Sequence, residues 1–92
     1  MSQAARGFAL DGRWALDERV SLRDERFGAL AYHHGNRRLT FLKSPTLVAL
    51  VRALGDFDSV DAALGALVAE GDRDRYARAL ERLAESEMLR ER

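Results

Sequence analysis

The chain has 92 residues, no cysteine, and 15 basic against 15 acidic side chains. This length predicts one small domain, and the missing cysteines exclude disulfides, thiolate catalysis and cysteine zinc sites. No apolar run approaches the ~18 residues of a membrane helix and no signal-peptide pattern opens the chain, so we expect a cytoplasmic protein without membrane contact. The charge is uneven, because residues 1–43 carry 8 basic and 5 acidic side chains and residues 44–92 carry 7 and 10.

The first 16 residues predict no clear secondary-structure element, because apolar and polar residues do not alternate cleanly there. We therefore divide the chain into a partly ordered N-terminal arm over residues 1–16 and a single domain over residues 17–92. We expect a loosely packed arm, and Phe8, Trp14 and Leu16 are the residues through which it could instead dock on that domain.

Two segments after the arm predict β-structure. Val20 and Leu22 alternate with polar neighbours, which is the pattern of a short half-buried strand. The pair Gly35-Asn36 separates two apolar runs and predicts a hairpin with a two-residue turn, because glycine adopts positive φ without a steric penalty. The third strand of the sheet then covers residues 37–42.

The hairpin register can be checked against the side chains. With a two-residue turn, Tyr32 lies opposite Leu39. Leu30 then lies opposite Phe41, so that four large apolar residues share one face. We expect this to be the core face, with His34 at its end, and the small or polar residues to lie on the exposed face.

Helical spacing begins after the hairpin and predicts three helices, over about residues 45–54, 59–71 and 74–87. Ser44 before Pro45 is typical of an N-cap followed by proline at the first helical position. Three strands followed by three helices predict a small α+β domain in which a three-stranded antiparallel sheet covers the helices.

The predicted third strand has a free edge. In a simple meander, residues 37–42 lie at the edge of the sheet and leave main-chain N–H and C=O groups unpaired. Arg37, Arg38 and Lys43 lie along this strand, which is typical of an edge protected from self-pairing. Such an edge can bind an extended peptide as an added strand.

The sequence offers no recognisable catalytic or metal site. His33 and His34 are the only histidines, and adjacent strand residues point to opposite faces, so the two cannot easily hold one metal together. We place His33 on the exposed face. The acidic pairs are typical of caps and solvated turns, and the glycines form no phosphate-binding loop. We therefore expect a binding module without catalytic residue, metal or cofactor.

A longer pattern is more specific than any of these elements. It consists of Trp14-Ala15-Leu16, Val20-Ser21-Leu22-Arg23 and the block FGALAYHHGNRRLTFLKS over residues 27–44. Together these segments strongly resemble the mycofactocin biosynthesis peptide chaperone family, a PqqD-like group of recognition elements for ribosomally made peptides. The resemblance runs from about Trp14 to Val51 and continues loosely to Met88-Leu89.

The resemblance implies a fold and a function. The fold is a winged-helix-like arrangement of three strands and three helices. The function is to bind the leader region of a precursor peptide and present it to a radical S-adenosylmethionine maturase, which decarboxylates and crosslinks the precursor's C-terminal Val-Tyr. The chaperone supplies no catalytic residue and no cofactor, and the leader lies along the third strand and against the third helix.

Carried onto this chain, the resemblance implies a peptide site between residues 37–42 and a third helix over about residues 74–87. The backbones expected to pair with the leader are those of Arg38, Leu39, Thr40, Phe41 and Leu42. The expected apolar wall consists of Tyr76, Ala79, Leu80 and Leu83, with Leu39, Phe41, Leu80 and Leu83 also serving the core. The side chains expected to meet acidic leader residues are Arg37, Arg38, Arg75 and Arg82.

Two other functions fit the predicted fold. One is a winged-helix DNA-binding regulator, but the second helix has no Lys or Arg between Val60 and Glu70 and the chain is neutral, whereas recognition helices need donors for bases and phosphates. The other is a dimerisation module that pairs with itself through the same edge strand. The sequence leaves the oligomeric state open.

Overall fold

The computed structural model describes residues 8–92. In chain order the elements are strands β1 (Trp14–Leu16), β2 (Val20–Glu25), β3 (Gly28–His33) and β4 (Leu39–Leu42), helices α1 (Pro45–Ala53), α2 (Val60–Leu67) and α3 (Arg73–Glu85), and strand β5 (Leu89–Glu91). Short 3-10 turns follow α1 at Leu54–Asp56 and precede α3 at Glu70–Asp72. The predicted α+β class is confirmed, while the likeness to winged-helix domains stays a prediction.

The predicted hairpin register is confirmed, but the turn is longer than predicted. Strands β2, β3 and β4 form an antiparallel meander in that order, with Tyr32 opposite Leu39. The connection covers residues 34–38 instead of two residues. Arg37 takes the left-handed conformation with φ of 65°, and its N–H donates to the His33 carbonyl at 2.7 Å. The left-handed residue is thus not the glycine.

The sheet has its faces the opposite way round from the prediction. Ala29, Ala31 and Leu42 are buried against the helices, whereas Leu39 and Phe41 are 58% and 53% exposed. The small alanines let α1 pack closely on β3. The register determines which residues share a face, but it does not determine which face meets the core. Leu39 and Phe41 therefore do not serve the core.

The histidines follow the same reversal. His33, predicted on the exposed face, is buried at the inner end of β3, and His34, predicted on the core face, is exposed. Two main-chain N–H groups, of Gly35 and Asn36, donate to His33 Nδ1 at 2.9 and 3.0 Å. His33 therefore stabilises the turn that leads into β4.

Helix α1 begins where its predicted capping residue indicates. Ser44 Oγ accepts a hydrogen bond from Leu47 N at 3.2 Å, with Pro45 at the first helical position. The second helix ends at Leu67, before its predicted end near Gly71. Val68 turns into the core in an extended conformation, and its carbonyl accepts a hydrogen bond from Arg73 Nε at 2.9 Å. Burial of Val68 thus overrides the helical pattern that continues beyond it.

A second sheet of two strands was not predicted. In it β1 pairs antiparallel with β5, with Ala15 opposite Arg90. Trp14 is buried in the core and packs against Phe8, with ring centroids 5.1 Å apart. The part of the predicted arm that the structure describes thus packs on the domain, and residues 1–7 lie outside the described residues.

The core lies between the inner sheet face and the three helices. Leu50 of α1, Leu64 of α2 and Leu80 of α3 are almost completely buried in it. Within residues 8–92, no helix combines the length and the apolar character needed to cross a membrane. This arrangement leaves β4 at one side of the sheet, next to α3.

Candidate peptide-binding groove

The outward edge of β4 carries unpaired main-chain groups. His33 N donates to Arg38 O at 2.9 Å, which makes these residues a hydrogen-bonded pair. Since such pairs alternate along an antiparallel ladder, Thr40 and Leu42 also bond inward to β3. The N–H and C=O groups of Leu39 and Phe41 therefore point outward, where no strand of residues 8–92 pairs with them.

A groove runs between this edge and α3. Its volume is about 350 Å³, and its lining residues are Thr40, Phe41, Leu42, Lys43, Leu47, Ala79, Arg82, Leu83 and Ser86. The middle of the groove is apolar, and the exposed side chains of Lys43 and Arg82 lie at its rim. The groove can therefore take apolar side chains from an extended segment that lies along β4.

Polar contacts fix the spacing of β4 and α3 at both ends of the groove. At one end, Asn36 Nδ2 donates to Ser86 O at 3.2 Å, which joins the hairpin turn to the C-terminal end of α3. At the other end, the hydroxyls of Ser44 and Tyr76 lie 2.8 Å apart, which joins the start of α1 to α3. The two walls are thus held at a defined distance by polar contacts, one of which uses Tyr76 of the predicted apolar wall.

Half of the predicted site residues lie together in this groove. They are Thr40, Phe41, Leu42, Ala79, Arg82 and Leu83. The groove also contains Lys43, Leu47 and Ser86, which were not predicted as binding residues. Leu47 belongs to the apolar stripe of α1, but only the packing of α1 beside β4 brings it to the groove.

Six predicted residues do not line the groove, and three of them are Leu80, Tyr76 and Leu39. Leu80 is 0% exposed and belongs to the core, because this position lies on the buried face of α3. Tyr76 is half-buried and its hydroxyl contacts Ser44 instead. Leu39 offers its backbone at the edge, while its side chain lies on the outer face of the sheet.

The basic residues predicted to meet the leader differ in whether they form ion pairs within the protein. Arg75 Nη2 lies 3.0 Å from Asp72 Oδ1 and its guanidinium lies 5.0 Å from the centre of the Tyr76 ring. The hydrogen bond to Asp72 raises the pKa of Arg75. Arg38 and Arg82 form no ion pair with another residue of the described part of the chain. Arg38 and Arg82 are therefore better placed than Arg75 to meet an acidic ligand.

Arg37 is exposed at the turn, one residue before Arg38. Its left-handed backbone conformation places it in the turn and outside the strand. In the described residues, no cluster of three or more His, Asp or Glu side chains is arranged to hold a metal ion.

Comparison with known proteins shows the family of this chain. The sequence model of the peptide chaperone MftB family matches residues 13–90. The chain belongs to this family. A peptide chaperone MftB of Mycobacterium tuberculosis is 46% identical over 83 residues, which cover 89% of this chain and 76% of that protein. The peptide chaperone MftB of Mycobacterium ulcerans is 45% identical over 92 residues, covering 96% and 84%.

A third relative, the peptide chaperone MftB of Mycolicibacterium smegmatis, is 43% identical over 83 residues, covering 89% of this chain and 81% of its own. No solved structure matches the chain. Membership in the MftB family confirms the expected family and its peptide chaperone role. The name chaperone implies a non-catalytic protein.

Proposed function

We propose that this chain binds the leader region of the ribosomally made mycofactocin precursor peptide as an added strand and presents it to a radical S-adenosylmethionine maturase. The observation that carries this proposal is the outward edge of β4, where Leu39 and Phe41 offer unpaired N–H and C=O groups beside an apolar groove. Main-chain hydrogen bonds at such an edge provide affinity, and pockets for alternate side chains provide specificity.

In this proposal the leader lies along β4 and places alternate side chains between β4 and α3. Ala79 and Leu83 form the α3 wall that these side chains contact. Arg82 and Lys43 at the rim attract acidic leader residues, and so does Arg38, which directly precedes β4. Rim charges of this kind mainly accelerate and orient the encounter.

The maturase performs the chemistry in this proposal. The chain holds the leader and thereby raises the concentration of the precursor's C-terminal end near the maturase. We infer that it acts in the cytoplasm with the precursor and without nucleic acid. Helix α2, Val60–Leu67, has no basic residue, which disfavours a role as a DNA recognition helix.

The test is calorimetry with the cognate leader peptide and two substitutions at one position. Leu39→Pro removes an outward main-chain N–H donor. Leu39→Val keeps this donor and also replaces leucine with a smaller apolar side chain, so it is the matched control. We expect Leu39→Pro to bind about 5- to 10-fold more weakly than Leu39→Val, which corresponds to the loss of one hydrogen bond. Equal affinities in two folded variants would contradict strand addition.

Position 39 is the right one for this test because of the β4 register. Proline at Thr40 would remove a donor that the register assigns to the bond with Ala31 of β3. A Thr40→Pro variant would therefore weaken the sheet itself and confuse unfolding with loss of binding. Leu39 also begins β4, a position where strands tolerate proline.

A further inference from the structure

The outer face of the three-stranded sheet is unusually apolar. Phe27, Leu39 and Phe41 are 43%, 58% and 53% exposed, and the rings of Phe27 and Phe41 lie 6.0 Å apart. A depression of about 430 Å³ on this face is lined by Arg23, Glu25, Phe27, Leu30, Phe41 and Lys43. A cluster of exposed apolar side chains marks an interaction surface, because such area is otherwise buried.

This outer face is continuous with the free edge of β4. The residues with outward main-chain groups, Leu39 and Phe41, are the ones whose side chains lie on the outer face. A strand added along β4 extends both faces of the sheet, since its side chains alternate between them in either strand direction. One set of its side chains therefore enters the groove, and the other set lies beside Leu39 and Phe41.

We propose that the outer face is the second half of the peptide site, so that the protein contacts the side chains on both faces of the bound segment. This rests on the proposed function and specifies its ligand. The segment is an extended run of consecutive apolar residues, in which alternate side chains fill the groove and the others cover Phe41 and Leu39. An amphipathic strand with one polar face would leave this apolar surface in water.

Charges at the two ends of β4 specify what flanks this run. Arg38 lies before the strand and Lys43 follows it, and neither forms an ion pair with another residue among 8–92. The cation of Arg23, by contrast, is neutralised by Glu25 at 2.9 Å. The ligand that fits is therefore an apolar segment with acidic residues at its ends.

The same charges disfavour a second copy of this chain as the occupant. Antiparallel pairing of two β4 edges brings Lys43 of one copy alongside Arg37 and Arg38 of the other. Like charges in such cross-strand positions destabilise the pairing. A peptide with acidic ends would instead place opposite charges beside these basic residues and stabilise the pairing.

Matched substitutions at Phe41 test this proposal. Phe41→Val and Phe41→Thr have the same branched shape and the same N–H, and they differ in the polarity of the surface offered to the peptide. Because Phe41 is exposed, both variants are expected to fold, which thermal unfolding checks. We expect the leader to bind Phe41→Thr about three- to tenfold more weakly than Phe41→Val in calorimetry. Leu67→Thr, at an exposed apolar residue on α2, leaves the affinity unchanged.

Threonine substitutions along the leader peptide give an independent result. If the peptide is read on both faces, affinity falls at consecutive positions of the bound run. If only the groove reads it, affinity falls at every second position, and the proposal is overturned while the proposed function stands. A leader that fails to bind the unchanged protein overturns the proposed function itself.

Two further results would assign the outer face to another occupant and overturn the proposal. One is equal leader affinity for Phe41→Val and Phe41→Thr together with a difference in binding of the maturase. The other is a dimer of the free protein, seen by sedimentation, that Phe41→Thr dissociates.

Discussion

The contact between the hydroxyls of Ser44 and Tyr76 gives a quantitative prediction about the groove. The two oxygens are 2.8 Å apart, and Ser44 Oγ also accepts the N-cap hydrogen bond from Leu47 N. Tyr76→Phe removes only the first contact and is expected to cost about 1 kcal/mol of unfolding free energy. Ser44→Ala removes both contacts, so its expected cost is about 2 kcal/mol.

A double-mutant cycle separates these contributions. If the hydroxyl contact stabilises the protein, the double variant loses about 1 kcal/mol less than the sum of the two single losses. Urea unfolding of the four proteins measures this difference, and Ser44→Thr is the control because it keeps a capping hydroxyl. Strictly additive losses would refute the contact as a link between α1 and α3. With the link absent, we also expect Tyr76→Phe to weaken leader binding by about threefold, since the groove walls are then less fixed.

Two further predictions concern stability. Hydrogen bonds from Arg19 lower the pKa of buried Asp17 to about 2, so the stability this carboxylate contributes is present above pH ~4 and is lost as the pH falls through 2. Acid titration should show a loss of about 1–2 kcal/mol that is absent in Asp17→Asn, and an equal loss in both proteins would contradict it. Gly28→Ala should destabilise by more than about 2 kcal/mol, because glycine has φ of 152° there and an added Cβ would clash with the Leu42 carbonyl. Gly65→Ala is the matched control, since a Cβ in this helix meets no atom within 4 Å, and denaturant unfolding should show a gain of about 0.5–1 kcal/mol.

The strand register and the helix starts could be predicted because local signals determine them. Opposed apolar residues indicated the register of β3 and β4, and Ser44 before Pro45 indicated the start of α1. The orientation of the sheet could not be predicted in this way, because alternation identifies two faces without saying which one the helices cover. The alanines of β3 were the available signal, since Ala29 and Ala31 allow closer helix packing than Leu30 and Tyr32.

The other features that the sequence did not predict depend on contacts between distant parts of the chain. Strands β1 and β5 have three residues each and pair across almost the whole chain, so neither has a recognisable pattern of its own. Likewise, Leu80 and Leu83 both fit the apolar stripe of α3 and both are buried in the core, but only the packing shows that Leu83 also lines the groove.

Amide hydrogen exchange in the free and leader-bound protein tests the central claim most directly. In the free protein, the outward N–H groups of Leu39 and Phe41 have no acceptor from residues 8–92 and should exchange quickly, whereas Thr40 is already protected by β3. Strand addition predicts that saturating leader peptide slows exchange at Leu39 and Phe41 and changes Thr40 little. Unchanged exchange at both Leu39 and Phe41, with the leader demonstrably bound, would contradict the account.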